Sequence, residues 1–163
     1  MIKNIFLDRD GIITQVVMRV STIGSARNMN EFSIRADFQH FYEQIKNEKF
    51  NLFVVSNQPD IARNLMNQET LINMTSVLQK KFSFTEIFYC THDNDDNCFC
   101  RKPKPGMILH LLQKHNLKQQ ESVIIGDSLK DIEAGQNAGI KTILLQTFYN
   151  KNIFCMKSLK SGL

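Results

Sequence analysis

The feature that most constrains the fold of this chain is the alternation of short apolar runs with longer segments of helical periodicity. Largely apolar runs of three or four residues recur along the sequence, at 5–7, 52–55, 87–89, 123–125 and 142–145. Apolar residues at helical spacing predict intervening helices, at about 34–48, around 71–78, from Pro105 and at about 129–137. Strands that alternate with helices form βαβ units, whose parallel sheet is buried on both faces. The sequence therefore predicts an α/β fold, a three-layer, Rossmann-like parallel sheet with helices on both faces.

The chain has the size of one ordinary domain and carries no internal repeat, linker or low-complexity stretch that would divide it. We expect a single domain over residues 1–163, with an extended flap or loop at 12–33 and a peripheral tail from about residue 148. The sequence shows neither a signal segment nor an apolar run of the roughly 20 residues that span a bilayer, so a cytoplasmic protein is expected.

The charge pattern argues against a dedicated nucleic-acid surface. The formal net charge is only +4, and Lys and Arg are spread along the chain rather than grouped. Such a balance is typical of a solvated surface that suits anionic ligands in general. We therefore expect no nucleic-acid partner. We also expect a monomer with a small-molecule substrate and no membrane partner.

Carboxylates follow two of the predicted strands at the point where each strand ends. Asp8 and Asp10 follow the first strand, and Asp127 follows the fourth, with Asp131 one helical turn further on. Open α/β sheets bind ligands at the carboxyl ends of their strands, so these side chains are expected to converge. One carboxylate can attack phosphorus while its neighbour handles a proton, and Asp8 with Asp127 could hold Mg²⁺. Taken singly, the segments also fit a solvated acidic turn or acids that stabilise the start of a helix.

Anion-binding groups follow the second strand and precede the third predicted helix. Ser56 offers a hydroxyl, and the amides after it open towards a helix, which is a suitable place for an anion. Arg101 and Lys102 are adjacent cations that could clamp phosphate oxygens. Each segment alone also fits a polar turn at the surface.

The strongest local signal is a cluster of metal-ligand residues within eleven positions. Cys90, His92, Cys98 and Cys100 provide three thiolates and one imidazole, the donor set of a tetrahedral zinc site. Four protein ligands leave no open position for water, so the predicted Zn²⁺ is structural. The alternative is a group of unrelated buried cysteines. Cys155 lies outside the cluster and is expected to play no part in it.

Together these segments resemble the haloacid dehalogenase superfamily of phosphatases. The resemblance covers about residues 3–146 and rests on four stretches: IFLDRDG at 5–11, VVSNQ at 54–58, GDSLKD at 126–131 and CRKPKPGM at 100–107. The last stretch, behind the zinc ligands, is similar to the capless branch that holds D-glycero-D-manno-heptose 1,7-bisphosphate phosphatases and histidinol-phosphate phosphatases. A capless fold is therefore expected, in which the zinc-bound loop takes the place of a cap domain.

The resemblance implies a mechanism through an aspartyl-phosphate. Asp8 would be the nucleophile, and Asp10 the general acid and then the base for water. Mg²⁺ would be held by Asp8, the main-chain carbonyl of Asp10 and Asp127. Ser56 and Lys102 would stabilise the transferring phosphoryl group.

The resemblance also implies residues that recognise the substrate. Arg101, with Asn57 and Ser128 nearby, would contact it, and Arg9 is predicted to belong to the same group. Asp131 would act from behind the residues that touch the metal and substrate.

The substrate implied by the resemblance is D-glycero-D-manno-heptose 1,7-bisphosphate, cleaved at C7 for surface-glycan precursors. The stretch PDIAR at 59–63 resembles the heptose enzymes, although Pro59 and Asp60 replace their Ser-Gly, and Arg35-Ala36 replaces a Pro-Gly. Histidinol phosphate is the alternative substrate, and a 3′-phosphatase acting on nucleic acid also stays open. A zinc-stabilised binding module without activity is the alternative from another class of protein.

Overall fold

The computed structural model describes residues 1–20 and 22–151. The strands are β1 (Asn4–Leu7), β2 (Val17–Met18), β3 (Ile23–Gly24), β4 (Asn51–Asn57), β5 (Glu86–Cys90), β6 (Ser122–Gly126) and β7 (Lys141–Leu144). The helices are α1 (Ala36–Ile45), α2 (Gln68–Lys81), α3 (Gly106–Lys114) and α4 (Leu129–Asn137), with a 3₁₀ turn at Gln119–Glu121. Cys155 lies outside the described residues, so its expected lack of a role stays a prediction.

The main sheet has five parallel strands in the order β5-β4-β1-β6-β7. The central strand β1 is fully buried because it has a hydrogen-bonded neighbour on each side and helices above and below. Leu7 lies opposite Val54 of β4 and Ile125 of β6, so the residues that follow these three strands emerge side by side. The predicted α/β sheet is confirmed.

Alternate residues of the strands supply two apolar layers, one on each face of the sheet. The layer under α3 and α4 is built from Phe6, Phe53, Val55, Met107, Ile108, Leu111, Ile124 and Ala134. The layer under α1 and α2 is built from Ile5, Leu7, Phe38, Tyr42, Leu52, Val54, Leu78 and Phe82. Helices therefore cover both faces, as the apolar runs predict.

The differences from the predicted elements are local. Helix α1 is shorter than 34–48 at both ends, and it begins after Arg35, whose backbone is extended. Pro105 caps α3 from just outside the helix instead of occupying its first turn. The flap at 12–33 contains the short hairpin of β2 and β3, whose pairing has no apolar alternation that would reveal it in the sequence. Among the described residues, no helix is both long and apolar enough to cross a bilayer.

We predict that Gly135→Ala destabilises the protein although alanine favours helix. Gly135 is buried in α4, and a β-carbon there would lie 2.5 Å from the methyl groups of Ile124 and Thr142. These methyls branch at the β-carbon of sheet residues and cannot move aside easily. Overpacking of this kind costs about 1–3 kcal/mol, while the helix propensity of alanine offsets at most about 1 kcal/mol.

The measurement is urea unfolding of wild type, Gly135→Ala and Gln136→Ala in one buffer. Gln136 is the exposed neighbour in the same helix and should show no loss of stability. A Gly135→Ala protein as stable as wild type would contradict the close helix–sheet contact.

Candidate active site

The carboxyl ends of β1, β4 and β6 open into a cleft of about 650 Å³. Its walls also include the flap hairpin, the turn after β4, the loop after β5 and the segment after β7. The predicted site residues that line it are Asp8, Asp10, Ser56, Asn57, Arg101, Lys102, Asp127, Ser128 and Asp131. The parallel register brings these residues together although they are far apart in the sequence.

The ammonium group of Lys102 is buried at the floor of the cleft between two carboxylates. Its Nζ lies 3.0 Å from Oδ1 of Asp8 and 2.5 Å from Oδ1 of Asp131, and it donates to the carbonyl of Val55 at 2.7 Å. Burial alone would lower the pKa of Lys102, but the carboxylates of Asp131 and Asp8 raise it above its ordinary value. Lys102 is therefore a permanent cation beside the Asp8 carboxylate.

Asp8 lies where several negative charges meet. Burial raises its pKa to about 7; Lys102 opposes the shift, and the carboxylates of Asp131, Asp127 and Asp10 add to it. Oxygen atoms of Asp8, Asp127 and Asp131 all lie within 4.8 Å of one another. One ammonium group does not balance this concentration of carboxylates, and an additional cation among them would be stabilised.

Asp127 and Asp131 differ in what surrounds them. Asp131 accepts hydrogen bonds through Oδ2 from the amide of Ser128 at 3.0 Å and from its hydroxyl at 2.6 Å, which caps the start of α4. Burial raises the pKa of Asp127, and a hydrogen bond from Tyr149 acts in the opposite direction. The Asp131 carboxylate thus bonds to Lys102 and to the start of its own helix, whereas the Asp127 carboxylate faces the cleft.

Asp10 lies in an environment opposite to that of Asp8. Its carboxylate pairs with the guanidinium of Arg9 at 3.0 Å and accepts hydrogen bonds from Gln58 at 2.7 Å and Ser25 at 2.9 Å. Burial alone would raise the pKa of Asp10, but Arg9, Gln58 and Ser25 together lower it below its ordinary value. Two carboxylates separated by one residue therefore differ in their affinity for a proton.

The prediction that Arg9 binds the substrate is wrong. Its side chain is fully buried and does not line the cleft. The guanidinium points inward, where it pairs with Asp10, donates to Gln58 at 2.8 Å and lies 5.6 Å from the centre of the Tyr89 ring. Buried arginine needs such partners. Asp10 in the same turn, Gln58 after β4 and Tyr89 in β5 supply them.

The polar residues after β4 hold their neighbours in place. Gln58, which the sequence-based reasoning gave no role, donates to both Asp10 and the hydroxyl of Ser56, the latter at 3.1 Å. The side-chain amide of Asn57 accepts a hydrogen bond from the Lys102 main-chain N–H at 3.0 Å and donates one to the Lys102 carbonyl at 2.9 Å. Substrate contact by Asn57, or by Ser128, stays a prediction, because both side chains already have partners within the protein.

Four predicted metal ligands come together in the loop after β5. The sulfur of Cys100 lies 3.2 Å from that of Cys90 and 3.5 Å from that of Cys98, and Nδ1 of His92 lies 3.3 Å from the Cys100 sulfur. Sulfur ligands about 2.3 Å from a tetrahedral ion lie roughly 3.8 Å apart, so this cluster is compact enough to surround one ion. The group could hold a metal.

A chain of ion pairs joins the flap to this metal-ligand loop across the mouth of the cleft. Arg27 pairs with Asp60 at 2.7 Å, and Asp60 lies 3.8 Å from Arg63. Arg63 pairs with Asp93 at 2.6 Å, and Asp93 lies 3.9 Å from Arg101. The hydrogen bonds from Arg63 lower the pKa of Asp93 to about 2. Asp60, which interrupts the resemblance in the PDIAR stretch, thus joins the flap to the turn after β4, and Arg63 joins that turn to the metal-ligand loop.

The expectation of a peripheral tail from about residue 148 is wrong for Tyr149 and Asn150. The hydroxyl of Tyr149 donates to the carboxylate of Asp127. The buried side chain of Asn150 donates to the Asp127 carbonyl at 2.8 Å and to the Leu145 carbonyl at 2.7 Å. No periodicity marks this segment, so nothing in the sequence signalled that Tyr149 and Asn150 would return to the cleft.

The chain belongs to the haloacid dehalogenase-like hydrolase family. The model of that family matches residues 6–145, which runs from within β1 to the residue after β7. The family predicted from the ordered stretches is therefore confirmed.

Known relatives are similar over most of the chain. The D-glycero-beta-D-manno-heptose-1,7-bisphosphate 7-phosphatase of Helicobacter pylori strain 26695 is 32% identical over 88% of this chain and 83% of that protein. The D-glycero-alpha-D-manno-heptose-1,7-bisphosphate 7-phosphatase of Campylobacter jejuni is 31% identical over 88% of this chain and 81% of that protein. The crystal structure of a D,D-heptose 1,7-bisphosphate phosphatase from B. bronchiseptica, complexed with magnesium and phosphate, superposes with a TM-score of 0.82 at 26% identity. That superposition covers 95% of this chain and 87% of the other.

We predict that Arg9 stabilises the fold through Asp10. Arg9→Met keeps most of the side-chain volume but leaves the Asp10 carboxylate without its cation. Removal of one partner from a buried pair costs about 3–5 kcal/mol. Urea unfolding near pH 7 measures the loss.

The control is Lys46→Met, which breaks an exposed pair with Glu43. An exposed pair contributes about 0–1 kcal/mol, so little change is expected. Equal stability losses in the two variants would contradict the structural role of Arg9.

Proposed function

We propose that this protein is a phosphatase in which the Asp8 carboxylate attacks the phosphorus of a sugar phosphate. The observation that carries the proposal is the position of Asp8, at the end of the central strand, beside the buried ammonium of Lys102 and within 4.8 Å of two further carboxylates. The surrounding cleft of about 650 Å³ is large enough for a phosphorylated sugar.

The carboxylates of this site fit a magnesium ion. Their oxygen atoms are close together, and their mutual repulsion contributes to the raised pKa of Asp8. We propose that Asp8, Asp127 and the main-chain carbonyl of Asp10 hold Mg²⁺. When bound, this ion neutralises charge on the phosphoryl oxygens and on the attacking carboxylate.

In the first half of the proposed reaction, a carboxylate oxygen of Asp8 forms a bond to phosphorus as the bond to the sugar oxygen breaks. Asp10 gives its proton to that sugar oxygen. Lys102 stays beside Asp8 and stabilises the negative charge that the transfer moves. We propose that the hydroxyl of Ser56, which lines the cleft, donates to a phosphoryl oxygen.

In the second half, water replaces the sugar. Asp10 takes a proton from the water, whose oxygen attacks the phosphorus of the aspartyl-phosphate, and inorganic phosphate leaves as the Asp8 carboxylate re-forms. Arg9, Gln58 and Ser25 lower the pKa of Asp10, which favours the ionised form that accepts a proton from water in this half. A bound phosphate anion raises the pKa of a neighbouring carboxyl group, which favours the protonated Asp10 that the first half needs.

We propose that the metal in the cysteine cluster is Zn²⁺ and that its role is structural. Three thiolates and one imidazole are the ligands that zinc prefers, and four of them fill its coordination sphere. Cys100 is followed directly by Arg101 and Lys102, so a rigid cluster would fix both cations at the cleft. Arg101 also donates to Asn94 at 2.9 Å and to the His92 carbonyl at 3.2 Å, which aligns it along the loop.

The proposed substrate is D-glycero-D-manno-heptose 1,7-bisphosphate, cleaved at C7. Support comes from the names of the relatives, which include both the alpha and the beta anomer. Arg101, Asn57 and Ser128 are proposed to contact the sugar phosphate, with Asp131 holding Lys102 from behind. We take residues 1–163 as one domain of a monomeric enzyme. We propose that the enzyme is cytoplasmic, because free thiols that bind zinc persist in a reducing compartment. Histidinol phosphate is the second candidate substrate, because Pro59-Asp60 and Arg35-Ala36 depart from the heptose pattern.

We predict that phosphate release in the presence of Mg²⁺ depends on Asp8. Asp8→Asn removes the attacking carboxylate and should abolish measurable turnover. Asp95→Asn makes the same chemical change on an exposed part of the metal-ligand loop and should turn over at the wild-type rate. The assay offers both heptose bisphosphate anomers and histidinol phosphate.

Rapid hydrolysis of one heptose anomer would support both the mechanism and the substrate. Preference for histidinol phosphate would keep the mechanism and replace the substrate. Wild-type activity in Asp8→Asn would reject the mechanism.

We predict one equivalent of tightly held zinc per chain. The double variant Cys98→Ala/Cys100→Ala removes two of four ligands and should contain none. Elemental analysis after purification without chelators measures the content, and Cys155→Ala serves as the matched cysteine control that keeps its zinc. Wild-type protein without zinc would contradict the proposed site.

A further inference from the structure

The segment that follows β7 returns to the cleft and is anchored there. We call residues 146–150 the strap. Inside it, Asn150 accepts a hydrogen bond from the Thr147 amide at 2.6 Å and donates to the carbonyls of Leu145 and Asp127. The family match ends at residue 145, so the strap lies beyond the part of the chain that the family model describes. Its position is defined by hydrogen bonds to the loop that carries Asp127.

The strap places one hydroxyl against the Asp127 carboxylate. Tyr149 donates to Oδ2 of Asp127 and lines the cleft. The phenol has one proton to donate, and the Asp127 carboxylate accepts it.

The turn after β1 is shaped to admit this hydroxyl. Gly11 has a φ of +84°, and a β-carbon at this position would lie 2.6 Å from the Tyr149 oxygen and in collision with the Asp127 carboxylate. The β-carbon of any other residue at position 11 would push both Asp127 and Tyr149 away from the turn. Gly11, in the turn that carries Asp8, and Tyr149 of the strap thus both lie against the Asp127 carboxylate.

We propose that Tyr149 is a positioning residue that holds the Asp127 carboxylate in the orientation that binds the metal ion. The inference rests on the proposed function, since it takes Asp127 as a ligand of Mg²⁺. A carboxylate on a strand end can rotate, and a hydrogen bond to one of its oxygens restricts that rotation. An oxygen of Asp127 lies within 4.8 Å of an oxygen of Asp8, so its orientation matters for a shared ion. Loss of such an outer partner typically weakens metal binding about 10- to 100-fold.

The test is the affinity for Mg²⁺, measured by calorimetry with Mg²⁺ alone and the zinc-containing protein without substrate. Tyr149→Phe keeps the ring and removes only the hydroxyl, so the fold should be retained; we expect its dissociation constant to rise about tenfold or more. Tyr42→Phe makes the same change in the core, where the hydroxyl accepts from the Ser83 amide, and should bind Mg²⁺ as wild type does. At saturating Mg²⁺, the kcat of Tyr149→Phe should approach that of wild type.

Two outcomes would overturn the inference without touching the proposed function. Equal Mg²⁺ affinity in Tyr149→Phe and wild type would mean that the hydroxyl does not position Asp127. Tighter binding would mean that the hydroxyl competes with the ion.

A wild-type protein that releases phosphate but binds no Mg²⁺ would overturn the metal site and the inference together. A wild-type protein that binds Mg²⁺ and releases no phosphate would overturn the proposed activity alone.

Discussion

The ammonium group of Lys102, buried between the carboxylates of Asp8 and Asp131, is the interaction on which the rest of the site depends. Buried charges are costly unless they are paired, so each of the three groups requires the others. Lys102 comes from a loop that has no regular structure of its own. The side-chain amide of Asn57 holds the main chain of Lys102, and the metal-ligand cluster ends two residues earlier. The sheet therefore fixes the carboxylates, while the loop supplies their cation.

The two aspartates that follow the first strand illustrate how environment gives one residue type two different proton affinities. Asp8 lies among carboxylates, and burial raises its pKa to about 7. Asp10 faces the buried guanidinium of Arg9, and its pKa lies below the ordinary value. Adjacent carboxyl groups with separated pKa values are the usual basis for distinct acid, base and nucleophile roles. The burial of Asp8 and the pairing of Asp10 with the inward-pointing Arg9 together produce this separation.

The mouth of the cleft is built from segments with little regular structure, and polar contacts connect them. Ion pairs run from Arg27 in the flap through Asp60, Arg63 and Asp93 to Arg101 in the metal-ligand loop. The strap adds Tyr149 to the lining of the cleft beside Asp127. Loops placed on a rigid parallel sheet can vary without altering the strand ends, which agrees with the departure at Pro59-Asp60 falling in the turn after β4.

The sequence by itself determined the parallel sheet, the polar residues at its strand ends and the zinc-type ligand set. These features are local: the apolar run of Ile5 to Leu7 requires burial wherever it lies, and Cys98 and Cys100 are close because the chain is short between them. Only the tertiary structure decided the direction of Arg9, which points inward to Gln58. It also decided that Asn57 forms hydrogen bonds with the main chain of Lys102 and that Tyr149 donates to Asp127. Each of these contacts joins residues that are distant in sequence, or depends on which of two directions a side chain takes. Strand register and loop packing select among those directions, and neither leaves a periodic trace in the amino-acid order.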